Sequence, residues 1–233
     1  MRAIFTAKKY QKTGTYHMRN GQSIQDAVFN VATPHCTILA LADGATSCEN
    51  GGIGAQIACR AAGEYLMYTG KSMLAFDDRK TAFLVLEQVL CHLRKEAEKS
   101  KASLESYAST LLLCYIDHSS KDAMIFHLGD GAMYQMSDDD YRLVSPPVNI
   151  EKNVCTLTTT HKAYKDVRVM RINVENDTTI FLCTDGIYNI MTDSGIGDNI
   201  RMSIAAKDYD GLCRQIDALP LVDDGSFLLH YNT

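Results

Sequence analysis

No run in the 233 residues approaches the roughly 18 consecutive apolar positions of a membrane-spanning helix. The opening Met1-Arg2-Ala3-Ile4-Phe5-Thr6-Ala7-Lys8-Lys9 lacks the apolar core of a secretory leader. Basic residues are also short, with 23 Lys and Arg against 28 Asp and Glu and a net charge of −5. A dedicated binder of nucleic acid or of an anionic membrane carries the opposite excess, so both classes are set aside. The eight cysteines, at 36, 48, 59, 91, 114, 155, 183 and 213, form no Cys-x-x-Cys pair. They sit mostly in apolar segments and read as reduced, mostly buried thiols, not as a disulfide framework or a structural zinc site. No Gly-x4-Gly-Lys-Ser/Thr loop is present, which removes a P-loop nucleotide hydrolase. His35-Cys36 lacks the arginine that a cysteine-based phosphate loop needs, because Ala42 stands at that position. A soluble cytoplasmic protein is the expectation.

What is present is apolar content, 46% of the chain, enough for a sizeable core. One domain over residues 1–233 is expected, since no linker, repeat or low-complexity tract divides it. Residues 2–8 read as a strand and 13–21 as a polar, glycine-punctuated loop. Residues 24–31 and 36–41 read as two further strands separated by Pro34. Between 53 and 66 the apolar residues recur at helical spacing, and again from 80 to 99, where Phe83, Leu86, Leu90, Leu93 and Ala97 share a face. Short strands follow at 108–116, 123–128, 132–136, 141–144, 167–174 and 178–183. Residues 145–166 read as irregular. Two short helices are expected near 195–206 and 208–218, and a last strand at 226–231. Strands, two helices, strands, helices and a strand make an α+β chain with antiparallel sheets, not a βαβ alternation.

Acids stand repeatedly at the ends of these apolar runs. Leu39-Ala40-Leu41-Ala42 delivers Asp43 before Gly44, and Ile180-Phe181-Leu182-Cys183-Thr184 delivers Asp185 before Gly186. Asp26 opens a strand, Asp130 lies between Gly129 and Gly131, and Asp223-Asp224 precede the final strand. A hairpin of residues 24–31 and 36–41 brings Asp26 close to Asp43. Carboxylates gathered in one place raise one another's pKa unless cations neutralise them. Oxygen ligands suit Mg²⁺ or Mn²⁺, and two such ions about 4 Å apart can activate water against a phosphoryl group. The acid pattern therefore points to a two-metal hydrolase. Asp138-Asp139-Asp140, Glu175, Asp177 and Asp193 read as solvated turn acids.

The pieces Gln25-Asp26-Ala27, Ala42-Asp43-Gly44-Ala45, Ser109-Thr110, Gly129-Asp130-Gly131, Cys183-Thr184-Asp185-Gly186 and Asp223-Asp224-Gly225-Ser226 occur in a specific order over residues 14–231. In that order the chain resembles the metal-dependent serine/threonine phosphatases of the protein phosphatase 2C family, especially the shorter bacterial-type members. The resemblance implies an αββα sandwich of two antiparallel sheets flanked by helix pairs. It implies Asp43 bridging two ions, Mg²⁺ or Mn²⁺, with the Gly44 carbonyl completing the second, and Asp185 and Asp223 holding the first. Asp26 would bind a metal-bound water, and Asp130 with Asp185 would serve a weaker third ion. The implied reaction is hydrolysis of phosphoserine or phosphothreonine in a protein substrate by metal-activated water.

Two departures accompany it. The arginine that grips the substrate phosphate in many members is replaced by Gly21, and His17 or Arg19 nearby are the candidate replacements. The glycine-rich loop after Asp-Gly is replaced by Thr46-Ser47-Cys48-Glu49-Asn50-Gly51-Gly52. The missing arginine keeps a second expectation open, a catalytically inactive phosphatase fold serving as a binding module. Asp198 in Gly197-Asp198-Asn199 competes with Asp223 for the last ligand position. Helical periodicity after Asp198 favours Asp223.

Overall fold

Strand 36–42 shows why the chain stacks in four layers. Ile38, Ala40 and Ala42 point one way into a core shared with two long helices, while Leu39 and Leu41 point the other way into a core between two sheets. A strand alternates its side chains across the sheet, so one that is apolar on both faces must be covered on both.

The computed structural model describes residues 4–137, 140–150, 153–154, 157–160, 163–175 and 177–232. Among these the order is β1 (Phe5–Lys12), α1 (Thr15–Arg19), β2 (Ala27–Ala32), β3 (Cys36–Ala42), α2 (Gly51–Met73) and α3 (Asp78–Ser100). Then come β4 (Leu111–Asp117), β5 (Asp122–Leu128), β6 (Ala132–Met136), β7 (Tyr141–Ser145), β8 (Asn149–Ile150) and β9 (Asn153–Val154). The chain continues with α4 (Ala163–Asp166), β10 (Arg168–Asn173), β11 (Thr179–Cys183), α5 (Asp185–Met191), α6 (Ile196–Ala205), α7 (Tyr209–Asp217) and β12 (Gly225–Asn232). One sheet runs β1-β12-β11-β6-β7 and the other β10-β5-β4-β3-β2, antiparallel throughout.

Three apolar layers hold this together. Leu111, Leu113 and Tyr115 of β4 meet α2 and α3, whereas Leu112, Cys114 and Ile116 face the other sheet. On the far side, Phe181 of β11 and Phe227 and Leu229 of β12 pack on Ile187, Ile200, Ile204, Leu212 and Ile216 of α5, α6 and α7. The αββα sandwich is therefore as expected, although three short helices cover that second face where a pair was anticipated. Helix α3 starts at Asp77, whose carboxylate accepts from Lys80 N at 2.8 Å. Such a cap is worth about 1 kcal/mol.

Several elements depart from the sequence reading. Residues 15–19 form a helix inside the expected polar loop; at five residues α1 is too short to show a period. Its backbone is anchored by Thr15 N to Leu221 O at 2.9 Å and Tyr16 N to Val222 O at 3.0 Å. Helix α2 continues to Met73, and residues 145–166 contain the β8–β9 pair and α4. Phe83 is more than half exposed and lies against Tyr164; Ala82, Val85 and Val89 take the buried face with Leu86, Leu90 and Leu93. Of the described cysteines, Cys59, Cys114 and Cys183 are buried, Cys36, Cys48 and Cys213 are half-buried and Cys91 is exposed. Fewer of them are buried than expected, because Cys36, Cys48 and Cys213 are only half covered and Cys91 falls on the outer face of α3. Cys155, Asp138, Asp139 and the beginning of the expected first strand lie outside the described residues. No helix among the described residues is long and apolar enough to cross a membrane.

Candidate metal centre

The register of two antiparallel strand pairs brings the acids to one end of the sandwich. Ala27 pairs with Ala42 across β2 and β3, so Asp26, just before β2, and Asp43, just after β3, are neighbours. Gly44 N then donates to Gln25 O at 3.2 Å and continues the pairing. In the other sheet Cys183 pairs with Phe227, which sets Asp185 after β11 beside Asp223 and Asp224 before β12. Asp130 lies in the turn from β5 to β6, where the chain passes from one sheet to the other. Glycine is required in that turn: Gly129 has φ +115°, and a Cβ on it would stand 2.5 Å from Thr110 Cγ2. Gly44 is required for closeness, since a Cβ there would stand 2.4 Å from the Gly51 carbonyl carbon.

Neighbouring groups fix the carboxylates. Thr110 holds Asp43 by its backbone on both sides, with Asp43 N donating to Thr110 Oγ1 at 2.8 Å and Thr110 N donating to Asp43 O at 2.8 Å. The Thr184 hydroxyl donates to Asp26 Oδ2 at 3.0 Å and accepts from Ser226 N at 2.9 Å. Asp224 is buried, its Oδ1 accepting from Gly14 N at 2.7 Å and its Oδ2 from Gln25 N at 2.6 Å. By contrast, Asp26 Oδ1, Asp130 Oδ1 and Asp185 Oδ1 are buried with no hydrogen-bond partner among the described residues.

Charge accumulates without compensation. Burial pushes Asp26 up to about 8, with Asp224 and Asp185 adding to it against the Thr184 bond. Lost hydration, followed by Asp26, Asp185, Asp130 and Asp223, holds Asp43 well above the usual carboxylate range. Burial, with Asp130 and Asp223, raises Asp185 to about 7, and burial with Asp223 raises Asp130 to about 6. Strand register sets Asp26, Asp43, Asp130, Asp185 and Asp223 at one end of the sandwich, and the like charges there account for part of these rises. Among the described residues no lysine or arginine pairs with any of them. Orphaned buried carboxylate oxygens with no basic partner are the donor set that Mg²⁺ or Mn²⁺ takes, so the residues fit such ions.

The other candidates fall in different places. His17 is buried on α1, with Nδ1 3.0 Å from Asp224 Oδ2, and Arg19 is exposed at the end of that helix. Gly21 occupies an exposed turn at φ +65°. Asp198 lies on α6, ion-paired with Arg201, and takes no part in the cluster. Glu175 pairs with Lys121 at 3.2 Å, and Asp193 accepts from Gly195 N and Ile196 N in a turn. Asp185 is the first residue of α5, not part of a loop, and Gly186 packs on the Asp224 carbonyl. The holding roles of Thr110, Thr184 and Asp224 were not assigned from sequence. Their signal was adjacency, because each stands within or beside an acid-bearing motif.

A double antiparallel sandwich with a carboxylate cluster at one end defines a phosphatase-type fold. The protein phosphatase 2C family model matches residues 13–207, and the chain belongs to that family. Among solved structures it is similar to the S. agalactiae serine/threonine phosphatase, with TM-score 0.73 and 14% identity, covering 98% of this chain and 99% of that one. It is similar to RsbX in complex with magnesium, with TM-score 0.66 and 13% identity over 98% and 96% of the two chains. The Mycobacterium tuberculosis serine/threonine phosphatase PstP/Ppp gives TM-score 0.69 and 14% identity over 97% and 98%. These likenesses concern the fold. No curated protein matches the chain.

Proposed function

We propose that the chain is a Mg²⁺- or Mn²⁺-dependent serine/threonine protein phosphatase, with residues 1–233 acting as one catalytic domain in the cytoplasm. The observation that carries this is the cluster of aspartates, of which Asp26, Asp130 and Asp185 each keep a buried oxygen without a partner and none pairs with a lysine or arginine among the described residues. Asp43 would serve two ions, the Gly44 carbonyl would complete the second, Asp185 and Asp223 would hold the first, and Asp130 with Asp185 would serve a third. Bound there, the ions would supply an acidified water and shield the charge of a phosphoryl group. Asp26, fixed by the Thr184 hydroxyl, has one carboxylate oxygen left to orient water and accept its proton. His17 is buried against Asp224, which leaves Arg19 on the exposed end of α1 as the cation for the substrate phosphate.

The test is hydrolysis of p-nitrophenyl phosphate and of phosphoserine and phosphothreonine peptides with and without Mn²⁺. Activity is expected to need the metal and to fall by about 10³-fold or more in Asp43→Asn and Asp185→Asn. Turnover that persists in EDTA, or in both variants, overturns the reading. One observation favours a second reading, a binding module: the exposed Gly21 turn offers no cation where the phosphate-gripping arginine is expected. Tight phosphopeptide binding without turnover, in a folded and metal-loaded protein, would establish it.

A further inference from the structure

The structure places one nitrogen at the rim of this oxygen-rich cluster. His17 on α1 is only 1% exposed. Its Nδ1 stands 3.0 Å from Asp224 Oδ2 and 3.8 Å from Asp223 Oδ1. At the shorter distance a hydrogen bond would be expected, yet the alignment of one is missing. Neither ring nitrogen has a hydrogen-bond partner among the described residues.

The two carboxylates are held in place for other reasons. Asp224 accepts from Gly14 N and Gln25 N, and Asp223 Oδ1 accepts from Asp224 N at 2.8 Å. Helix α1 is itself bonded to Leu221 O and Val222 O, so its backbone holds the histidine beside the segment that carries both acids. One ligand atom from each of the three lies within 4.8 Å of the others. Ligands at right angles on a cation with bonds of about 2.1 Å stand about 3.0 Å apart. The His17–Asp224 separation matches that spacing.

We propose that His17, Asp223 and Asp224 form a mixed nitrogen–oxygen cation position that takes a divalent first-row transition metal in preference to Mg²⁺. Mg²⁺ demands hard oxygen donors, whereas Mn²⁺, Fe²⁺ and Zn²⁺ accept imidazole, so one nitrogen in the set tilts selectivity toward them. The position rests on the metal-dependent reading only through Asp223, which it shares.

Electron spin echo spectroscopy of the full chain with one equivalent of Mn²⁺ tests this directly. A ¹⁴N coupling is expected in the parent protein and is expected to vanish in His17→Gln. Calorimetric titration should show Mn²⁺ affinity reduced at least about tenfold in His17→Gln, with Mg²⁺ affinity within about twofold. Asp224→Asn, which keeps an oxygen for the Gly14 and Gln25 amides, serves as the second variant, and the parent spectrum decides even where a variant fails to fold. Bound Mn²⁺ without nitrogen coupling, or a coupling unchanged in His17→Gln, overturns the proposal. An oxygen-only spectrum accompanied by Mn²⁺-dependent phosphatase activity removes this site and leaves the proposed function standing. Absence of Mn²⁺ binding removes both.

Discussion

The Thr184 hydroxyl donates to Asp26 Oδ2 at 3.0 Å, and this bond joins the two sheets at the acid cluster. Thr184 closes β11 in one sheet, Asp26 opens β2 in the other, and Ser226 N fixes the hydroxyl from β12 at 2.9 Å. The bond restrains Asp26, the carboxylate proposed to accept a proton. Thr184→Val keeps the shape and removes the donor. Activity is expected to fall about 10–100-fold, the range for groups that orient ligands from behind. Stability is expected to fall by about 1–2 kcal/mol. Parallel metal titration and thermal melts check both, and Thr184→Ser is expected to restore most of the activity. A valine variant with unchanged kinetics would show that the bond is incidental.

Uncompensated charge makes the metal-free protein less stable than its packing allows. Asp43 faces Asp26, Asp185, Asp130 and Asp223 at close quarters. Asp43→Asn removes one charge from that set and should stabilise the metal-free protein by about 1 kcal/mol. For a chain of this size the gain corresponds to about 2–4 °C in Tm. The same substitution should abolish the stabilisation that Mn²⁺ gives the parent, about 2.7 kcal/mol at a hundredfold excess over Kd, and with it the rise in Tm. Differential scanning calorimetry in EDTA and in Mn²⁺ measures both. Equal metal-induced shifts in parent and variant would take Asp43 out of the ligand set.

Much of this arrangement is legible in the sequence because it depends on local pattern. Short continuous apolar runs mark β3, β4, β11 and β12, and Asp26 and Asp43 follow from a hairpin whose register needs no distant information. What escapes is set by contacts across the chain. Helix α1 has five residues and takes its conformation from bonds to Leu221 and Val222. Helix α5 starts at Asp185 itself, so Asp185-Gly186 looks like a turn until its packing on Asp224 is known. Phe83 keeps helical spacing with Leu86 and Leu90, but it is more than half exposed and rests on Tyr164. The holding roles of His17 and Asp224 depend on residues more than 190 positions apart meeting, which no local pattern encodes.

A buried histidine away from the cluster should govern acid stability. His127 Nδ1 lies 2.6 Å from Ser145 Oγ and accepts from Arg168 Nη2 at 2.9 Å. Burial first, and Arg168 second, push it down to about 3 from an ordinary value of 6.5. The folded state therefore stays unprotonated where the unfolded chain takes up a proton. Its contribution is fully present above pH 6.5 and is lost as pH falls toward 3, by up to about 3 kcal/mol at pH 4. His127→Gln should lower stability at pH 7 and flatten this part of the profile. Urea unfolding at pH 7, 5.5 and 4 measures it, and parallel profiles for parent and variant would assign the acid loss to other groups.

Gly129 links backbone strain to the cluster. Its φ of +115° suits glycine alone, and a Cβ would stand 2.5 Å from Cγ2 of Thr110, the residue that braces Asp43 through two bonds of 2.8 Å. Gly129→Ala should cost about 1–3 kcal/mol from the backbone conformation. Because the clash falls on Thr110 and the strained turn carries Asp130, metal affinity should weaken along with stability. The informative comparison is Gly131→Ala, one residue beyond Asp130, where a Cβ would stand 2.9 Å from Cys183 O and nothing presses on Thr110. Calorimetric titration with Mn²⁺ should therefore separate the two, with the larger loss of affinity at Gly129. Equal affinities in both variants, at unequal stabilities, would mean that Thr110 can yield without disturbing Asp43.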